Sequence, residues 1–328
     1  MPPLLVDGNL KISVVLVSAA ILDYLIGDPW GWPHPVQGMG WLIRHYVRGA
    51  LQYCRSPWQK RLAGVGLGMG LIAGTGALSW TILTWLYSRS WALGLLCEVT
   101  LLASCFAGRS LRDAAADVLK PLAKDDVVQA RLKLRNYVGR DTDRLSSPEL
   151  LRAILETVTE NATDGVMAPL FYALLGSFIP GVGPVPLALA YKAASTLDSM
   201  VGYQEAPYTD LGWFSARFED LLTWLPCRLT VLTLGLLSGK LFTVIRLCRR
   251  DATHDPSPNA GWSECAYAAV LGVQVGGANW YRGVLKEKPF LGDPILPITP
   301  EQIDLALRLT RNSFLLWLAL ALLLKLEA

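Results

Sequence analysis

Charge is what this sequence has least of. Of its 328 residues, 17% are Asp, Glu, Lys or Arg and 52% are apolar, where a soluble domain carries about 25% charged residues. With a mean hydropathy of +0.34, that balance excludes a disordered chain, a coiled coil and a disulfide scaffold. The net charge is only +3, so no nucleic-acid partner is implied. Six cysteines form no CxxC or other close metal-ligand spacing. Several lie in apolar stretches, where a thiol behaves as a small hydrophobe, and they are read as reduced thiols of a chain whose polar parts face the cytoplasm. The apolar run 12–26 has no basic region before Lys11 and no small-residue cleavage site after it, ending in Gly27-Asp28-Pro29; it is expected to be a retained membrane helix rather than a signal peptide. No run of alternating strands is visible. There is no P-loop: Gly235-x3-Gly239-Lys240-Leu241 is one residue short and lacks the Ser or Thr. GxSxG, HExxH and the kinase signatures are missing too.

What is present points to a bilayer. Twelve Trp suit membrane interfaces. Apolar runs at 12–26, 62–87, 91–107, 166–190, 229–245 and 314–324 are the candidate membrane segments, against the roughly 20 residues that a span needs. In 62–87, Gly64, Gly66, Gly68, Gly70 and Gly74 form overlapping small-xxx-small pairs, which close helix packing explains; no strand precedes them, so they are no dinucleotide fingerprint. The run 166–190 is interrupted by Pro180-Gly181-Val182-Gly183-Pro184-Val185-Pro186, which predicts a helix pair or a re-entrant segment. Residues 109–160 differ, with 10 Lys/Arg and 9 Asp/Glu. Helical spacing of Leu111, Ala115, Val118 and Leu119, a second helix through 127–138, and Ser147 as N-cap before Pro148 predict a helical, water-facing region. The expected architecture is all-α: one integral-membrane domain over residues 1–328, polytopic, with a helical cytoplasm-facing insertion at 108–165. Basic residues Arg44, Arg48, Arg55, Lys60 and Arg61, and again Arg246, Arg249 and Arg250, should be cytoplasmic. Both cannot be if 166–190 re-enters and 229–245 crosses once.

Five polar constellations could carry chemistry. On one helix, Glu156, Glu160 and Asp164 fall at i, i+4 and i+8 and share a face, opposite Leu151, Ile154, Leu155 and Val158. Several carboxylates together can hold Mg²⁺ alongside phosphates; a solvated acidic face is the alternative. Because these acids lead directly into apolar Met167-Ala168-Pro169-Leu170, where acids are costly unless used, the functional reading is favoured. Lys192, Ser195 and Ser199 can share a face with Asp198 nearby: a lysine with hydroxyls suits phosphate and Asp198 suits a metal, or Lys192 and Asp198 form a surface pair. Asp23 lies inside the first apolar run, where a lone acid usually has a function, and Asp28 and His34 follow it; taken alone, His34 between prolines favours a structural reading. The loop Asp251-x2-His254-Asp255-x-Ser257-Pro258-Asn259, with Glu264 beyond it, could supply ligands or be an Asx-rich turn. Arg109 and Arg140, in Gly108-Arg109-Ser110 and Gly139-Arg140-Asp141-Thr142, suit bidentate phosphate or carboxylate contacts.

Taken together, LDYLIGDPWGWPHPVQGMG, GRSL, VGRDT, ETVTENATDGVMAPLFYALLG, YKAASTLDSMVGY, GWFSARFEDLLTWLP and HDPSPNAGWSECAYAAVLGVQVGG resemble the CobD/CbiB family, in order from about residue 20 to residue 293. The resemblance implies a multi-pass inner-membrane adenosylcobinamide-phosphate synthase of cobalamin biosynthesis. In that reaction ATP drives amide formation between the propionate carboxylate of adenosylcobyric acid and the amine of aminopropanol phosphate. Trp262-Ser263-Glu264-Cys265 departs from the expected Pro-Glu-Ala type of sequence. Joined to the residue readings, the resemblance suggests Mg²⁺ on Glu156, Glu160, Asp164 and Asp198. Lys192 and Arg140 would hold phosphates, with Arg109, Ser195, Asp28 and His34 as further substrate contacts. His254 would be the base, with Asn259 and Glu264 orienting it or the substrate. The expected partners are the corrinoid, aminopropanol phosphate and the bilayer, with ATP as co-substrate; self-association is left open. A Mg²⁺-dependent membrane phosphotransferase or prenyltransferase, and a transporter, are the alternatives.

Overall fold

A computed structural model describes residues 8–28, 31, 34–203 and 205–327. The chain folds into two compact units, Met1–Ala107 with Ala168–Leu222 and Trp317–Ala328, and Gly108–Met167 with Thr223–Leu316. The insertion expected at 108–165 is thus joined in its unit by a long later stretch.

The first unit is helical. It contains α1 (Gly8–Leu25), α2 (Pro35–Tyr53), α3 (Pro57–Arg89), α4 (Trp91–Ala103), α8 (Ala168–Ser177) and α9 (Pro184–Val201). Helix α3 starts on a capping box: Ser56 Oγ accepts the Gln59 N–H at 3.2 Å and Gln59 Oε1 accepts the Ser56 N–H at 3.1 Å, with Pro57 in the first turn. The glycines of α3 divide by use. A Cβ at Gly64 would run into the Leu211 carbonyl, and one at Gly68 would meet the Phe214 ring at 2.5 Å, whereas Gly70 and Gly74 face open space. Close packing therefore explains only part of the small-residue row. The proline-rich break separates α8 from α9, which pack on each other as a helix pair. Trp80 Nε1 donates to Gly181 O in that turn at 2.8 Å.

A charged triad ties three helices of this unit. Lys11 Nζ on α1 lies 3.0 Å from Glu98 Oε2 on α4 and 3.8 Å from the centre of the Tyr87 ring on α3. The Tyr87 hydroxyl donates to the same Glu98 oxygen at 2.5 Å. Glu98 is 3% exposed. Among apolar helices such a charge persists only when paired.

The second unit has α5 (Gly108–Leu122), α6 (Val127–Leu134), α7 (Ser147–Ala162), a π-helical turn (Thr163–Met167), α11 (Leu241–Asp251), a 3-10 turn (Ala252–His254), α12 (Ala260–Leu271) and a hairpin, β1 (Val275–Tyr281) and β2 (Val284–Leu291). Its core gathers Val118, Leu134, Leu150, Ile154, Leu155, Val158 and Tyr267. Each side chain so buried contributes about 1.5–3 kcal/mol. Helix α7 begins one residue earlier than expected. Ser146 is the N-cap, its N–H and hydroxyl both donating to Glu149 Oε2, at 2.7 and 2.6 Å.

Helices α10 (Trp213–Leu237) and α13 (Pro300–Glu327) each have residues in both units. Among the described residues, α1, α3, α10 and α13 are long and apolar enough to cross a membrane. The structure is that of an all-α polytopic membrane protein with one small hairpin.

Three expectations change. The run 229–245 is not one helix: α10 ends at Leu237 and α11 begins at Leu241, so the basic Arg246–Arg250 belongs to a separate amphipathic helix. The short run 314–324 is the end of the 28-residue α13. The antiparallel hairpin stands where no strand was expected. Its turn, Arg282-Gly283, has positive φ at both residues (51° and 77°), the type I′ geometry that suits strand twist and favours glycine.

Candidate active site

The second unit buries a dense set of charges where α7, α12 and the hairpin pack together. Arg140 precedes α7 and is 8% exposed. Its Nη2 is 2.5 Å from Glu156 Oε2, and its Nη1 donates to Asn279 Oδ1 at 2.7 Å. Glu156 Oε1 in turn accepts the Gly276 N–H at 2.8 Å. One turn earlier, Arg152 donates to the carbonyls of Gly276 and Ala278 and to Asn279 Oδ1. Asp141 closes the clamp: its carboxylate accepts the N–H groups of Arg282 and Gly283 at 3.0 and 2.8 Å. Arg140 and Asp141 thus hold the hairpin against α7.

Beside this clamp lies Glu264 on α12, 1% exposed. Neither of its oxygens takes part in a hydrogen bond among the described residues. Lys288 Nζ, from β2, stands 3.6 Å from Oε1. Burial pushes the Glu264 carboxyl well above the ordinary range, with Glu160 and Glu156 adding to the shift and Lys288 opposing it. Glu160 is half-buried and is also pushed up, chiefly by desolvation, with Asp255 and Glu156 adding. Burial works against the charge on Lys288, but Glu264, Glu160, Glu156 and Asp255 outweigh it and hold its ammonium above the lysine range. Asp255 Oδ1 accepts the Ser257 N–H at 2.9 Å.

Helix α12 is fixed to α7 through Ser263, whose hydroxyl donates to Thr159 O at 2.6 Å and lies 2.8 Å from Thr163 Oγ1. Asn259 is buried, and its Oδ1 accepts from Arg228 Nη1 at 3.2 Å; the Arg228 guanidinium lies 4.3 Å from the Trp262 ring centre. His254 is exposed, with Nδ1 3.3 Å from Asp251 O.

The sequence-predicted residues divide between the units. Arg109, Arg140, Glu156, Glu160, Asp164, His254, Asn259 and Glu264 belong to the second; Asp28, His34, Lys192, Ser195 and Asp198 belong to the first. Arg109 pairs with Asp113 at 3.0 Å. Asp164 sits in the π turn, so it leaves the i, i+4, i+8 phase of Glu156 and Glu160. In the first unit, His34 is a structural cap that also meets an acid: Nδ1 accepts the Val36 N–H at 3.1 Å at the start of α2, and Nε2 is 3.2 Å from Asp28 Oδ1. Lys192 is half-buried on α9, with Ser195 and Asp198 one and two turns on. Among the described residues, no three His, Cys, Asp or Glu side chains converge as metal ligands, and Glu156 is engaged by Arg140.

Sequence reasoning missed Lys288, Asn279, Arg152 and Arg228. The first two lie on the hairpin, for which the Arg282-Gly283 turn was the available signal.

The model of the CobD/Cbib protein family matches residues 16–310. The cobalamin biosynthesis protein CobD of Synechocystis sp. is 52% identical over 320 residues, 97% of this chain and 94% of the relative. CobD of Halalkalibacterium halodurans is 41% identical over 92% of this chain and 93% of its own length. CbiB of Salmonella typhimurium is 40% identical over 92% and 94%. No solved structure matches the chain.

Proposed function

The chain belongs to the CobD/CbiB family, and on that premise we propose that it acts in cobalamin biosynthesis as a membrane-bound amide-forming ligase. It joins the propionate carboxylate of adenosylcobyric acid to the amine of aminopropanol phosphate at the expense of ATP. The family match over residues 16–310 carries this reading, and the buried acids and cations of the second unit support it.

A carboxylate is a poor electrophile and does not react with an amine unaided. Activation as an acyl phosphate gives the amine a phosphate to displace. The chain must then hold phosphate groups, keep water from the activated acyl group, and remove a proton from the amine. Mg²⁺ carried on the ATP phosphates would neutralise their charge. In the second unit, Arg140 is committed to Glu156 and Asn279, so its part is to set the position of Glu156 and the hairpin. His254, in the turn ahead of α12, is exposed to solvent. Lys192 in the first unit is a half-buried cation suited to phosphate, with Ser195 as hydroxyl partner.

The basic residues of α2 and the α2–α3 connection, and those closing α11, support a cytoplasmic active site in the cell membrane. The test is direct. Purified chain in detergent, given adenosylcobyric acid, aminopropanol phosphate, ATP and Mg²⁺, should yield adenosylcobinamide phosphate by mass spectrometry, with one ATP consumed per amide. ATP-independent product, or none, would overturn the reading.

A further inference from the structure

Four acids lie together in the second unit: Glu156 and Glu160 on α7, Glu264 on α12, and Asp255 in the loop ahead of α12. Arg140 neutralises Glu156. Glu160, Glu264 and Asp255 are left with Lys288 as the cation whose charge they share, and it stands 3.6 Å from Glu264. Three acids around one cation are short of positive charge, a shortage that burial makes costly unless a cation or a proton supplies it.

The deficit is sharpest at Glu264. It is 1% exposed, and both oxygens lack hydrogen bonds among the described residues. Lys288, at 3.6 Å, is within ion-pair range but beyond hydrogen-bond length. Buried carboxyl groups are almost always hydrogen-bonded, so an orphaned one asks what should be there. A metal ion needs several ligands to converge, and among the described residues no three do so. A primary ammonium asks less: three N–H donors and a few acceptors at about 2.8 Å. Lys288 itself presents that chemical group to Glu264. It comes from strand β2 with its side chain 29% exposed, so a way outward is open to it.

We propose that Glu264, with Glu160, is the seat of the protonated primary amine of the acceptor substrate, and that Lys288 occupies this seat until the substrate ammonium displaces it. This rests on the amide-forming reading and adds to it the residue that receives the amine.

The experiment compares binding of aminopropanol phosphate and propyl phosphate to the full-length chain in detergent, by calorimetry, with neither ATP nor corrinoid present. Wild-type protein should prefer the amine at least tenfold. Glu264→Gln should cut that preference below threefold while leaving propyl phosphate affinity unchanged. Lys288→Met should tighten the amine several-fold and leave propyl phosphate alone. A tenfold preference surviving Glu264→Gln would overturn the proposal, as would equal weakening of both ligands by Lys288→Met, which would make Lys288 a phosphate contact. If Glu264→Gln does not run as a single species on gel filtration, Glu160→Gln is read by the same ratio. Because no amide is made in this assay, failure of the ligase reaction and failure of the ammonium seat are seen separately.

Discussion

Arg140 and Glu156 face each other across 2.5 Å with their side chains 7% and 2% exposed. Removing one partner of such a pair leaves a charge without solvent or counter-ion, at a cost of about 3–5 kcal/mol. Arg140→Met should therefore lower the thermal midpoint sharply in detergent. The double variant Arg140→Met, Glu156→Leu should regain much of the loss. A single variant as stable as wild type would show that the pair does not hold the hairpin to α7.

Glu264 links stability to pH in the direction opposite to most carboxylates. Its folded-state pKa is raised, chiefly by burial. Its contribution is therefore fully present below the ordinary value of 4.5 and is lost as pH rises toward the folded value. Glu264→Gln should match wild type in acid and become the more stable protein toward neutral pH. Thermal unfolding across a pH series reads the difference, and parallel curves would contradict the raised pKa.

Glu149 behaves the other way. The Ser146 hydroxyl and N–H hold its carboxyl below the usual range, so its stabilisation is present above the unfolded value and is lost as pH falls through the folded one. Ser146→Ala should cost about 1 kcal/mol and should flatten this acid-side dependence. An unchanged midpoint would mean the Ser146–Glu149 bonds contribute nothing.

Gly64 and Gly70 test how α3 packs. Gly64→Ala puts a methyl group into the Leu211 carbonyl, whereas Gly70→Ala meets nothing within 4 Å. The first should reduce the yield of folded protein from membranes severalfold. The second should be neutral or better, since alanine is the stronger helix former by about 1 kcal/mol. Fluorescence-detected gel filtration distinguishes them.

Glu160→Gln should abolish amide formation while leaving expression intact, because Gln keeps the size and shape of the half-buried side chain. Full activity in that variant would remove Glu160 from the ammonium seat.

Much of the helical plan was readable in the sequence, for local reasons. Pro57, Pro148 and Pro184 mark first turns, and the proline-glycine break at 180–186 separates α8 from α9 as expected. What escaped depends on contacts distant in sequence. The hairpin lacks clean alternation because β2 is exposed along most of its length, and it is held by Arg152 and Asp141, more than a hundred residues away. The π turn at Thr163–Met167 carries no compositional mark, so Asp164 was placed on the wrong phase. Arg140 read as a phosphate ligand because sequence shows its charge but not its partner. Glu264 was visible as a polar residue near a loop, whereas its lack of hydrogen bonds emerges only from three-dimensional packing.

The Lys11–Glu98 pair also bears on the order in which the chain is made. Lys11 lies near the start of the first apolar helix, and the carboxylate that matches it is translated 87 residues later. The ring that covers its ammonium, Tyr87, arrives only shortly before. Until then α1 lacks the partners that tie it to α3 and α4, and Glu98→Gln should leave α1 less firmly docked, read as faster proteolysis of its end in detergent.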